Sequence, residues 1–471
     1  MGSVSSNRLF AEFFQVLARA GNAINAPAFA ASGGPSQNVQ APQFNGGPSQ
    51  DTFSSGNTLF AQSGATPLVA DNGAPQVALL EVYPDDPFNP GGRDGHDDAV
   101  RQTLNNFAPD AQTQTFSFYT STRSPSGDDT PTPFNSLAEV NQYIDQSGYD
   151  TFHTAAQKIE QIQQTNPGTD VINMSLGLSK KGIYQSVMDS AVNADPATGM
   201  KLAGSLGINP ADLQAYYSDP NFANPQTRAN IQSPAKTRIE DAIANYVDNR
   251  FNANTGQGQN FQTGIAEWRQ ATKQVADNGT VVVVAAGNDH NVPGFEDTSQ
   301  SGSELNLLAM SDNVISVAAS TDNSPNGRPA DFSSRGGGQF TPTLSADGTD
   351  IPVTLDGRRQ TVNGTSFSTP TVSAAVAELK KQNPNLSFQQ IKNILTSTAD
   401  NTAAPPQAEG VGILDTRQAF SVAGNGTVPT GQAQFQPTPV PSGNTGGIDY
   451  STLGADLTTL FQDLFNLLCG R

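Results

Sequence analysis

Four short runs centred on apolar residues most restrict how this chain can fold. They are QVALLEVY (76–83), TDVINMSLG (169–177), TVVVVAAGN (280–288) and NVISVAAS (313–320). Runs of this length, without strict apolar–polar alternation, suit strands buried on both faces, the condition of a parallel sheet. Helical stretches separate them. Residues 135–164 read as helix in one or two pieces, and GIAEWRQATKQVADNG (264–279) is amphipathic, with a glycine stop at 279. TSFSTPTVSAAVAELKKQ (365–382) reads as helix with an early proline, Pro370, suited to a first turn. LSFQQIKNIL opens with Ser387 and carries Gln390 three residues on, a capping-box pattern. Strands alternating with helices predict an α/β fold, a parallel central sheet flanked by helices.

The remaining segments frame that domain, which spans 75–425. Residues 1–26 read as an amphipathic helix, and its apolar stretch is broken by Glu12, Gln15 and Arg19, unlike a signal peptide. Residues 27–74 and 426–450 are rich in Gly, Pro, Ser, Thr and Gln and read as linkers. Residues 178–263 form a polar, helix-rich insertion. In 451–471, Leu457, Leu460, Phe461, Leu464, Leu467 and Leu468 recur at helical spacing, predicting a second amphipathic helix. It suits docking to a partner or to a secretion machinery.

Charge and cysteine content exclude several function classes. The chain carries 24 Lys and Arg against 43 Asp and Glu, a net charge of −19. Nucleic acid needs clustered basic residues to neutralise phosphate, so it is not an expected partner. The single cysteine, Cys469, permits neither an internal disulfide nor a thiolate metal cluster. No run of about 18 apolar residues is present to span a membrane.

In an open parallel sheet, ligands sit beyond the carboxyl ends of the strands. Glu81, Ser175 and Asn288 fall there. The most specific string is NGTSFSTP (363–370). It places Ser366 at the mouth of a helix, after a flexible glycine, near the positive end of the helix dipole. That setting suits a nucleophile whose carbonyl target becomes an oxyanion, although a short "GTS" alone is also an ordinary helix start.

NGTSFSTPTVSAAVAEL resembles the serine motif of the subtilisin-like serine proteases, the subtilases. VVVVAAGN is similar to the segment that carries the family's oxyanion-hole asparagine, which maps to Asn288. VINMSLG resembles the strand that pairs with substrate and walls the specificity pocket. The resemblance therefore implies substrate-binding roles for Ser175, Leu176 and Gly177, and for Ala286 and Gly287 beside Asn288. ADFSSRG (330–336) and GVGILDTRQAF (410–420) resemble later segments of the family. The likeness spans roughly 75–420 and implies the three-layer subtilisin-like fold and a serine endopeptidase (EC 3.4.21).

Such an enzyme needs a base and a carboxylate to orient it. Of the three histidines, His153 lies inside a helical stretch and His290 lies two residues past Asn288. His96 begins the helix-like HDDAVRQTL after a buried strand, as the subtilase histidine does. Asp97, Asp98 and Ala99 stand where the family's Gly-Thr-His would follow it. His96 is the expected base. For the carboxylate, Glu81 occupies the strand position of the family's aspartate, with Asp85, Asp86 and Asp94 as alternatives. Only 15 residues separate Glu81 from His96. The family's intervening hairpin is therefore expected to be absent. A second reading keeps the fold but not the chemistry, as a pseudoprotease that binds without cleaving. No cofactor is required; structural calcium is permitted by the acidic excess, but no Asp-x-Asp-x-Asp-Gly loop is present. The acidic, nearly cysteine-free chain with its leucine-rich end resembles exported bacterial proteins, so secretion is expected, with the cytoplasm as the alternative.

Overall fold

A computed structural model of the chain describes residues 73–81, 95–118, 133–228, 230–251, 259–290, 304–337, 340–400 and 402–424. The two terminal helices expected at 1–26 and 451–471, Cys469, the linker at 426–450 and Asp85, Asp86 and Asp94 lie outside these residues. So does the segment joining Glu81 to Gly95.

In chain order the elements begin with β1 (Gln76–Glu81), α1 (His96–Phe107), β2 (Gln112–Ser117), α2 (Leu137–Thr165) and β3 (Val171–Met174). A run of helices follows: α3 (Lys180–Val187), α4 (Pro196–Leu202), α5 (Pro210–Tyr217), α6 (Pro225–Arg228), α7 (Pro234–Phe251) and α8 (Gln259–Asp277). Then come β4 (Val281–Ala285), β5 (Ile315–Ser320), β6 (Leu344–Asp347) and the hairpin β7 (Ile351–Leu355) and β8 (Arg358–Val362). The last elements are α9 (Thr365–Gln382), α10 (Phe388–Thr398), α11 (Pro406–Glu409) and α12 (Thr416–Gly424).

The six strands β2-β1-β3-β4-β5-β6 form one sheet, and every neighbouring pair is parallel. Alternate residues of the apolar strands feed two separate cores. Ala78, Leu80, Ile172, Met174, Val282 and Val284 point to one face, where α2, α8 and the helical segment after β3 cover them. Val77, Leu79, Val171, Val281 and Val283 point to the other, beneath α1, α9 and α10. Burial on both faces explains why these strands read as continuous apolar runs. β2 differs: its sequence QTQTFS is half-buried along its length, as befits an edge strand.

Of the one or two helical pieces read over 135–164, the structure has one: α2 is an unbroken helix of 29 residues capped by Ser136, whose hydroxyl accepts from the Glu139 N–H. Its packing against α7 and α8 explains the length. Phe261 stacks on Phe251 and meets Phe152 of α2 edge-on, and Trp268 is fully buried. The capping box at Ser387 and Gln390 forms with both reciprocal hydrogen bonds.

Pro370 requires a correction. It lies at the sixth residue of α9, not in its first turn. There a proline removes the N–H that would bond the carbonyl of residue 366.

Candidate active site

The carboxyl ends of β1, β3 and β4 and the amino ends of α1 and α9 converge on one region. β1 ends at Glu81, whose side chain is fully buried. α1 begins at His96, and His96 Nδ1 lies 3.0 Å from Glu81 Oε2. A carboxylate accepts only, so Nδ1 carries the proton and Nε2 is the ring's remaining basic nitrogen. α1 packs against α9, and the His96 ring meets that of Phe367, with centroids 5.7 Å apart. Phe367 directly follows Ser366.

Gly364, with φ 153°, turns the chain into α9, a conformation that disfavours any side chain. Ser366 is therefore the second residue of the helix, 5% exposed, with its N–H among those left unpaired by the helix at its start. Its hydroxyl donates to the Ser175 carbonyl at 3.2 Å.

Asn288 lies three residues past β4 and is held by Thr365. Its Oδ1 accepts from the Thr365 N–H at 2.9 Å and from the Thr365 hydroxyl at 3.0 Å. A backbone N–H must face an acceptor, so this contact fixes which end of the amide is oxygen. The Thr365 hydroxyl in turn accepts from the Gly287 N–H at 3.2 Å. Asn288 Nδ2 is left on the Gly364 side, where a Cβ on that glycine would come within 3.4 Å of it. The amide donor thus stands beside the turn that presents Ser366.

The segments after β3 and β4 are tied together by Asn306. Its Nδ2 donates to the carbonyls of Leu176 (2.7 Å) and Ala285 (2.9 Å). Its Oδ1 accepts from the N–H groups of Leu178 (3.3 Å) and Leu308 (3.1 Å). All four hydrogen-bonding capacities of the amide are used. Gly177, with φ 151°, leaves the space for it: a Cβ there would lie 1.9 Å from Asn306 Oδ1. Thr365 and Asn306 escaped the sequence reading because their roles depend on contacts across 77 and about 130 residues.

The other histidines are engaged elsewhere. His153 Nδ1 lies 2.7 Å from Glu267, joining α2 to α8, and is about one-third exposed. His290 Nδ1 lies 3.0 Å from Glu304 Oε2, which also accepts from the Arg335 N–H. Lys181 Nζ donates to the His290 carbonyl and lies 3.7 Å from Glu304 Oε1. Between Asn288 and His290, Asp289 is buried, and burial pushes its carboxyl up to about 6. Among the described residues, no group of three His, Cys, Asp or Glu is placed to hold a metal ion. Nor is any described helix long and apolar enough to cross a membrane.

The subtilase family (peptidase S8) matches residues 136–416, more than half the chain. This chain belongs to the subtilase family. The matched stretch contains Ser175, Asn288 and Ser366 but begins beyond Glu81 and His96. Among similar proteins, alkaline elastase YaB from Bacillus sp. (strain YaB) is 32% identical over 157 residues, 33% of this chain and 37% of that protein. Subtilisin DY from Bacillus licheniformis is 34% identical over 140 residues, 30% of this chain and 46% of its own length. This chain thus spans less than half the length of either relative. Among solved structures, the prenylagaramide maturation protease PagA aligns with 74% of this chain and 94% of its own, at 16% identity and a TM-score of 0.41. MycP1 from Mycobacterium smegmatis aligns with 78% and 84%, at 18% identity and a TM-score of 0.39.

Proposed function

We propose that the chain is a serine endopeptidase that works through an acyl-enzyme. Ser366 attacks the scissile carbonyl, and His96 takes its proton through Nε2 and returns it to the leaving amine. Glu81 holds the imidazole tautomer and offsets the imidazolium charge. The Asn288 amide and the Ser366 N–H donate to the oxyanion as it forms. Substrate lies between the segments 175–177 and 286–287.

The observation that carries this reading is the 3.0 Å contact of His96 Nδ1 with buried Glu81, at the start of a helix packed on the one that bears Ser366. Glutamate is one methylene longer than aspartate and reaches the imidazole from the last residue of β1. In the resting arrangement the Ser366 hydroxyl donates to Ser175, so it must rotate toward His96 Nε2 when substrate binds. Apo sites commonly tighten in this way.

The test is labelling of the full chain by a fluorophosphonate, with hydrolysis of a peptide library followed in parallel. Ser366→Ala is expected to abolish both. Labelling that persists undiminished in that variant overturns the assignment. A folded wild-type chain that takes no label favours the binding-only reading instead. Export from the cell belongs to the same proposal, and is checked by finding the chain in culture medium.

A further inference from the structure

Pro370 leaves the carbonyl of Ser366 without its helical donor, because residue i+4 has no N–H to offer. A second side chain fills that place. The Ser175 hydroxyl donates to the Ser366 carbonyl at 2.8 Å, while the Ser366 hydroxyl donates back to the Ser175 carbonyl at 3.2 Å. The Ser175 hydroxyl is aimed by what stands behind it. Asn173 Nδ2 donates to Ser175 Oγ at 3.0 Å, and the Ser373 hydroxyl donates to Asn173 Oδ1 at 2.8 Å. All three side chains are buried, at 1% exposure or less. Each hydroxyl has a single proton, and Asn173 can accept only at Oδ1, so the direction of every link is determined once Ser373 donates.

We infer that Asn173 and Ser373 are positioning residues, which act through Ser175 to hold the backbone of Ser366 where its N–H and hydroxyl meet the substrate carbonyl. This rests on the proposed role of Ser366 as nucleophile. If Ser373 is lost, the Asn173 amide is free to turn over and present its oxygen to Ser175. The Ser175 proton then goes to Asn173, and the Ser366 carbonyl loses the Ser175 hydroxyl as its donor. Asn173→Asp has the same effect at almost unchanged volume, since a carboxylate accepts from both hydroxyls.

The expected results are specific. Ser175→Ala and Asn173→Asp each lower the rate of fluorophosphonate labelling and kcat about tenfold, the loss of one well-aimed buried hydrogen bond. KM stays within about twofold. Both variants melt below the parent, Asn173→Asp the more because it buries a carboxylate, so rates are compared at a temperature where circular dichroism shows each of them folded. The double variant is no slower than the slower single one, because both break the same link. Pro370→Ala supplies an N–H to the Ser366 carbonyl, so Ser175→Ala made in that background loses much less. The inference is overturned if folded Ser175→Ala or Asn173→Asp reacts at the parental rate. It is also overturned if the two losses multiply, or if Pro370→Ala gives no relief. Side-chain amide hydrogen exchange of Asn173, read by NMR, separates this from failure of the protease reading. In a chain that takes no label, slow exchange that quickens in Ser175→Ala upholds the relay, and unchanged exchange refutes it.

Discussion

Glu81 and His96 meet at 3.0 Å in the interior, although the family match begins only at residue 136. Glu81→Gln keeps the shape but replaces the acceptor pair with an amide that can donate to the wrong tautomer. It is expected to lower kcat by about 10²–10⁴-fold, measured on a peptide substrate, with Glu81→Asp recovering part of the loss. In the proposed mechanism Asn288→Ala takes away one of the two oxyanion donors, and it is expected to cost about 10²–10³ in kcat with little change in KM. Asp289 provides a pH prediction. Its folded-state pKa of about 6 stands above the ordinary value of 3.8 because burial penalises the charge, against the opposing effects of the Ser179 hydroxyl and Lys181. A raised carboxyl binds protons more tightly when folded, so its contribution favours folding at low pH. That contribution is lost as pH rises from about 4 through 6. The change is on the order of 3 kcal/mol. Denaturant melts should therefore show Asp289→Asn gaining stability relative to the parent at pH 8 and gaining little at pH 4. The sequence names His96 as the expected base and Glu81, with Asp85, Asp86 and Asp94 as alternatives, as its carboxylate; the 3.0 Å contact between His96 and Glu81 is set by the placement of β1 beside α1.

The elements that position the site were unequally visible. β1, β3, β4 and β5 announce themselves because both faces are buried. β2 was not anticipated, since an edge strand of alternating Gln and Thr carries no core signal. β6 has only four residues, and the β7–β8 hairpin was missed although its Asp356-Gly357 turn, with both φ positive, is a hairpin signature. That hairpin packs on α1 through paired hydrogen bonds between Gln102 and the Thr354 backbone. The loops after β3 and β4 have no regular structure, so their spacing rests on Asn306. Gly177→Ala is expected to destabilise by about 3 kcal/mol or more, from strain at a positive φ and the collision with Asn306. Asn306→Ala leaves four buried backbone groups without their partner and should cost a similar amount. The double variant should cost less than the sum, because removing the amide vacates the space the new methyl needs. Thermal and denaturant melts of the three variants check this.

At the scale of the molecule, the helical segment after β3 is more than an appendage. Ile183, Leu213, Ile239, Ile243 and Val247 are buried in the same core as β3 and β4. Arg250 pairs with Asp145 of α2, and Tyr246 bonds Asn141. Excising residues 182–251 is therefore expected to abolish cooperative unfolding, followed by circular dichroism, rather than only to alter substrate choice. The sequence by itself determined the parallel α/β class, the helix at 365–382 and the motifs around Ser366 and Asn288, because burial pattern and turn chemistry are local. Tertiary structure alone brought Glu81 to His96, Thr365 to Asn288 and Ser175 to the carbonyl that Pro370 leaves open. Each is a hydrogen bond between side chain and partner set by how strands and helices pack, and no local pattern specifies that.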